Sequence, residues 1–184
     1  MIDQSTLALS RDRRRTIVGV VGFAVAMAAA SQIAIPIPGT AVPMTLSPLA
    51  AILAGLWLGP RAGAASMVLY LAAGAAGLPV FAPMGAPGVL RLIGPTGGYL
   101  LAFPVAAFAA GAVARRVPSF PGRVSAAALG FALIHVGGIA QLTILTGSVE
   151  SAVIAGSLPF LAMDLVKVLL AGVLSRGRTD SARA

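Results

Sequence analysis

Asp164-Leu165-Val166-Lys167 sets a carboxylate and the only lysine of the chain three positions apart, which in a helix puts both on one face. The run around them is apolar. Each charge costs about 2.5 to 3.5 kcal/mol at the centre of a membrane helix, so the pair is driven toward the bundle interior and toward each other. An acceptor beside a donor can grip the headgroup of a ligand; the same two groups can also simply neutralise one another, and the spacing leaves both readings open. Ser157 ahead of Pro159 predicts the helix start, which places the pair one to two turns inside, as the floor of a pocket facing the outer surface. A second group is Gly94-Pro95-Thr96-Gly97-Gly98-Tyr99. Here a proline in a first-turn position opens a helix whose free N–H groups offer an anion site. Arg91 lies just before it, so a carboxylate-bearing solute would meet a guanidinium and a helix terminus together; contact with lipid headgroups is the other reading. Gln32 and Gln141 offer amides either to a ligand or to a neighbouring helix. His135 reads as a satisfied interior residue. Tyr70 and Tyr99 supply ring faces with a hydroxyl, in a pocket or at the membrane interface. Trp57 reads as aromatic belt, and Phe81 as a pocket wall.

The elements that must hold these residues follow from composition. Of 184 residues, 58% are hydrophobic and 10% charged, against about 25% charged in soluble domains. The chain therefore reads as an all-α integral membrane protein. Apolar runs between Gly/Pro breaks predict six transmembrane helices near 16–35, 46–59, 62–77, 96–114, 125–146 and 157–175, forming one domain over 16–175 with tails at 1–15 and 176–184. With the N-terminus in the cytoplasm, eleven of the twelve arginines fall inside and Arg91 alone outside, as the positive-inside rule requires; both tails are then cytoplasmic. A cleaved signal peptide is the competing reading of Arg11 to Ala30. Two outer connections are rich in turn residues: Pro36, Pro38, Gly39 and Pro43 in the first, and Gly77, Pro79, Pro83, Gly85, Pro87, Gly88, Gly94 and Pro95 in the second. Irregular backbone near a membrane is tolerated where it is buried in protein or lines a cavity. The second connection, with Val80, Phe81, Leu90, Leu92 and Ile93, is thus expected to fold back as a lid, against the plainer reading of an exposed link. In the first helix Ala24, Ala26, Ala28 and Ala30 make a smooth face suited to close helix approach.

The same arithmetic excludes several functions. Zero cysteines, one histidine and five carboxylates exclude most clustered metal centres, and no cofactor is expected. The net charge of +8 comes from arginines spread between apolar runs rather than from a solvated basic patch, so nucleic acid is not expected as a partner. No phosphate loop precedes the lysine, which rules out a P-loop ATPase. No nucleophile elbow or paired-histidine motif supports an intramembrane enzyme, and the polar lining is too sparse for a water-filled pore. Independent transport by a homo-oligomer stays open.

In order along the chain stand Ile35-Pro36-Ile37-Pro38, Val42-Pro43-Met44-Thr45-Leu46, Leu53-Ala54-Gly55-Leu56-Trp57-Leu58-Gly59-Pro60-Arg61-Ala62-Gly63, Tyr70 with Gly74, Gly77-Leu78-Pro79-Val80-Phe81-Ala82, Gly94-Pro95-Thr96-Gly97-Gly98-Tyr99, and Asp164 with Lys167. Together these resemble the BioY family, the biotin-binding S components of energy-coupling-factor transporters, over about residues 20–175. The resemblance implies a six-helix subunit of the bacterial plasma membrane that captures biotin from outside. It also implies partners, a transmembrane coupling protein and two ATPase subunits, so that ATP hydrolysis lies outside this chain. Ala26 and Ala30, with Ala24 and Ala28 next, are the implied docking residues. Biotin suits the candidate site: its ureido ring matches Asp164 as acceptor and Lys167 as donor, its carboxylate suits Arg91 and the Gly94, Thr96 and Tyr99 stretch, and its apolar parts suit Phe81 and Tyr70. The chain departs from the family pattern in having no asparagine and in reading Pro83-Met84 after Phe81-Ala82; backbone or Gln141 is then expected to supply any further ureido contact. An S component for another vitamin and a stand-alone secondary transporter are the alternatives.

Overall fold

Eight helices and one two-residue hairpin make up the computed structural model, which describes residues 4–176, with side chains from residue 11 onward. Helix α1 runs Gln4–Gln32, so residues 4–15, expected as tail, continue the first helix; residues 177–184 of the expected C-terminal tail lie outside the described residues. Strands β1 (Ala34–Ile35) and β2 (Met44–Thr45) pair antiparallel across the proline-rich first connection. Then come α2 (Ser47–Leu58), α3 (Pro60–Ala75), α4 (Leu90–Ile93), α5 (Gly97–Arg116), α6 (Phe120–Thr146), α7 (Val149–Gly156) and α8 (Leu161–Leu174).

Local chemistry sets the breaks. Gly59, at φ +84°, closes α2 and opens α3, with Pro60 in the first turn. The Ser119 side chain accepts the Gly122 N–H to cap α6, and left-handed Gly147 ends it. Two expectations are corrected. A short helix, α4, interrupts the lid. The last predicted helix does not start at Ser157: that residue ends α7, and α8 begins at Leu161 after a bend of 59°. The pattern at 157–160 is the one for a helix start, but it lies at a break between two helices.

The outside of the bundle is apolar, the reverse of a soluble domain. On α8, Leu165, Val166 and Leu169 are exposed while Asp164 and Lys167 are buried; on α1, Ile17, Val18, Val21 and Val25 are exposed. This arrangement is stable when hydrocarbon is the solvent. Helices α1, α5 and α6 are each long and apolar enough to cross a membrane, and α7 with α8 make a fourth span when read as one broken helix.

At the centre α5 packs against α6, α2 and α3. The contact surfaces are alanine and glycine: Ala51, Ala54, Ala106, Ala107, Ala110 and Ala127 are wholly buried. A Cβ on Gly55 would lie 2.1 Å from the Ala107 carbonyl oxygen, and one on Gly98 would lie 2.1 Å from that of Gly137. Helix backbones therefore touch directly, as small residues permit in membranes, and α5 brings Tyr99 against His135 of α6 and Gly156 of α7.

Candidate functional site

The floor of the site is made by α6 and α8. Asp164 sits in the first turn of α8, where the helix dipole favours an anion. Its Oδ1 accepts from Lys167 Nζ at 2.9 Å, and its Oδ2 lies 2.9 Å from His135 Nε2 on α6. His135 Nδ1 in turn lies 3.2 Å from Ser157 Oγ, in the bend between α7 and α8. Asp164 and Lys167 are 7% and 5% exposed, low enough that each needs the other. Each carboxylate oxygen has two acceptor positions and the ammonium has three donors, so after these bonds the floor can still accept two N–H groups and donate to a carbonyl.

Above the floor lies a cavity of about 660 Å³ of empty space, part of it open to solvent. It is lined by Asp164, Lys167, His135, Tyr70, Phe81, Arg91, Thr96 and Tyr99, with Ser31, Ser47, Phe103 and Phe160 among the others. Phe81 meets Tyr70 edge-on at 5.4 Å and rests where Gly74 leaves room, since a Cβ there would lie 2.2 Å from the ring. The Tyr99 hydroxyl donates to the Gly156 carbonyl at 2.5 Å, and its ring faces His135 edge-on at 6.4 Å. A buried hydroxyl cluster closes one wall: Ser31 Oγ lies 2.7 Å from the Tyr70 hydroxyl and 2.9 Å from Ser47 Oγ.

The lid folds back over this cavity and is tied down by side chains reaching backbone carbonyls. Gln32 Nε2 donates to Phe81 at 3.0 Å and to Val80. Gln141 Nε2 donates to Gly94 at 2.7 Å and to Leu92 at 3.0 Å. Arg91 donates through Nη1 to the Met84 carbonyl and through Nη2 to that of Ala82. Burial under the lid lowers its pKa, the direction expected for a cation leaving water. Two buried donors at the cavity, Arg91 Nε and Thr96 Oγ1, have no partner among the described residues.

Seven of the nine expected binding residues line the cavity: Asp164, Lys167, Arg91, Phe81, Tyr70, Thr96 and Tyr99. Gln141 and Gly94 do not. They bond to each other as part of the lid's anchorage, because the Gln141 amide reaches the carbonyls of Leu92 and Gly94 where α4 ends. The expected free N–H groups at Gly94 to Tyr99 are partly used, since the Gly97 N–H donates to the Gly94 carbonyl at 3.0 Å; Gly97 and Gly98 serve close packing. Gln32 is likewise a lid anchor. Trp57 is half-buried and meets the Phe23 ring of α1 edge-on at 5.6 Å. Sequence reasoning passed over His135 as mere interior. It also missed Ser31, Ser47 and Ser157, whose hydroxyls carry no signal of their own until the helices bring them together.

Of the alanines on α1, Ala24 is buried and Ala28 half-buried against the core. Ala26 is exposed and Ala30 half-buried.

An apolar-surfaced helical bundle holding a lidded pocket with a charged floor defines a membrane-embedded binder of small solutes. A solved structure with this fold is that described as the S-component for biotin from an ECF-type ABC transporter: its TM-score is 0.83 at 24% identity, over 90% of this chain and 91% of that one. The sequence model of the BioY family matches residues 4–183, and the chain belongs to that family. It is 35% identical over 185 residues to the biotin transporter BioY of Rhodobacter capsulatus, covering 90% of this chain and 92% of that protein. It is 34% identical over 141 residues to the biotin transporter BioY of Thermotoga maritima, covering 77% and 83%.

Proposed function

We propose that this chain is the biotin-binding S component of an energy-coupling-factor transporter, a multi-pass protein of the bacterial plasma membrane. The observation that carries this reading is Asp164, held between His135 and Lys167 beneath a tethered lid, in a chain of the BioY family. The ureido N–H groups go to the Asp164 oxygens and its carbonyl to Lys167. Aromatic rings of Phe81, Tyr70 and Tyr99 hold the apolar bicycle. The carboxylate end lies toward the lid, where Arg91 Nε and Thr96 Oγ1 offer the two spare donors. The hydroxyls of Ser31, Ser47 and Tyr70, which also line the cavity, supply polar contacts in place of the absent asparagine. The six spans are α1, α2, α3, α5, α6 and the broken pair α7 and α8, with both termini in the cytoplasm. Junctions bearing Arg61, Arg115, Arg116 and Arg123 then face inward, and Arg91 outward. Energy comes from a coupling protein and two ATPase subunits, with α1 as the docking helix.

Mass spectrometry of the small molecule that copurifies tests the ligand directly; another vitamin in that position sinks the biotin assignment. Asp164→Ala is expected to weaken biotin binding by about 2 to 5 kcal/mol in a protein that still inserts and elutes as a folded species. Unchanged affinity in isothermal titration would remove Asp164 from the site.

A further inference from the structure

At the end of the bundle away from the lid, where α2 turns into α3 at Gly59 and α5 into α6 through Pro118, a second cavity opens, with about 860 Å³ of empty space, part of it open to solvent. Its wall combines two chemistries. Leu56, Trp57 and Leu58 make one side apolar, while Arg115 and Arg123 supply two guanidinium groups. Arg123 is only 5% exposed. Arg115 is seated over Gly59: a Cβ there would lie 2.2 Å from its Nη2, so the φ +84° glycine serves both the turn and the bed for this side chain. The acidic residues among those described are Asp12, Glu150 and Asp164, and none lines the cavity. Arg61, Arg116 and Arg176 flank it in sequence, which deepens the positive potential there.

Paired guanidiniums present forked N–H donors that match phosphate oxygens. Each carries five donors, and Arg115, at an exposed position, can present its fork to the mouth of the cavity. An apolar wall beside a cationic mouth, on a bundle whose exterior is apolar, fits an amphiphile with a phosphate at the head of an acyl chain. Basic pockets between membrane helices take anionic headgroups in this manner. We propose that this cavity binds the phosphate of an anionic phospholipid, with Arg115 and Arg123 on the phosphate oxygens and the first acyl carbons along Trp57 and Leu58. The site is separate from the lidded pocket and does not depend on what that pocket holds.

Trp57 is the only tryptophan of the chain and lines this cavity, so quenching of its fluorescence reads lipid at that wall. The full-length protein in a neutral detergent is titrated with phosphatidylglycerol whose acyl chains are brominated near their carbonyl ends, and in parallel with the matching phosphatidylcholine. Saturable quenching by the anionic lipid is expected at a concentration about tenfold or more below that needed with the zwitterionic one. Arg115→Gln should cut that preference by about fivefold, the contribution of one arginine near a lipid surface. Arg123→Gln should do the same; because Arg123 is buried, Arg115→Gln, at an exposed position, carries the test if the other variant fails to fold. Equal quenching by the two lipids, or an unchanged preference in Arg115→Gln, overturns the proposal. Displacement of the brominated lipid by inorganic phosphate at equally low concentration assigns the cavity to free phosphate and overturns the lipid source.

Discussion

Asp164 joins α6 to α8 through both of its carboxylate oxygens, and its environment explains why His135 matters. A buried carboxylate is stable only when its oxygens are satisfied, and Lys167 reaches Oδ1 alone, leaving Oδ2 to His135. The imidazole is in turn fixed by Ser157, so three segments of chain orient one acceptor. We therefore expect His135→Leu to weaken biotin binding by about ten- to a hundredfold, the usual worth of a hydrogen bond to a charged group. His135→Gln, which can return an N–H to Oδ2, should recover most of the affinity in the same titration. Equal losses in both variants would assign His135 to packing rather than to orientation of Asp164. The pairing of Asp164 with Lys167 was legible because both lie on one turn of one helix. The participation of His135 and Ser157 was not, because it depends on how α6 meets the α7–α8 bend, a contact between residues 22 positions apart.

At the scale of elements, the lid and the helix pair beneath it make different demands. The lid is held by backbone carbonyls taking up the amides of Gln32 and Gln141 and the guanidinium of Arg91. Removing both amides, as in Gln32→Ala with Gln141→Ala, should loosen the lid and speed biotin release by roughly five- to a hundredfold in a stopped-flow chase, at about 0.5 to 1.5 kcal/mol for each amide. An unchanged release rate would mean that the lid does not gate the pocket. Under it, the contact of α5 with α6 at Gly98 has no room for a methyl group. Gly98→Val should destabilise the protein by about 1 to 3 kcal/mol through overpacking, read as a lowered Tm in detergent. Apolar runs were enough to place α1, α2, α3, α5 and α6 in the sequence. They did not reveal α4, whose single turn is too short for a period, or the bend at 157–160, where Ser157 and Pro159 read equally well as a helix start.

For the whole molecule, the arginine distribution and the apolar exterior were readable from composition, because the requirement to bury polar backbone in hydrocarbon leaves few alternatives. Which side of α1 faces outward was not readable, since alanines occur all round it and only packing separates Ala24 and Ala28 from Ala26. That distinction yields an assembly prediction. Ala26→Leu should reduce recovery of the coupling protein in a pull-down while leaving biotin binding intact, whereas Ala24→Leu, directed into the core, should lower Tm first. Normal assembly by Ala26→Leu would place the docking surface elsewhere.

Where α5 meets α2 and α6, the contact is made by alanine methyl groups and bare glycine backbone, which have no side-chain rotamers to rearrange. Any tilting of the protein within the bilayer would therefore carry the helices as one stiff block. The compliance needed to admit and discharge a vitamin is left to the proline- and glycine-rich cover, which is restrained by a few side-chain hydrogen bonds, the seat of Phe81 against Tyr70 and the packing of one short helix, α4.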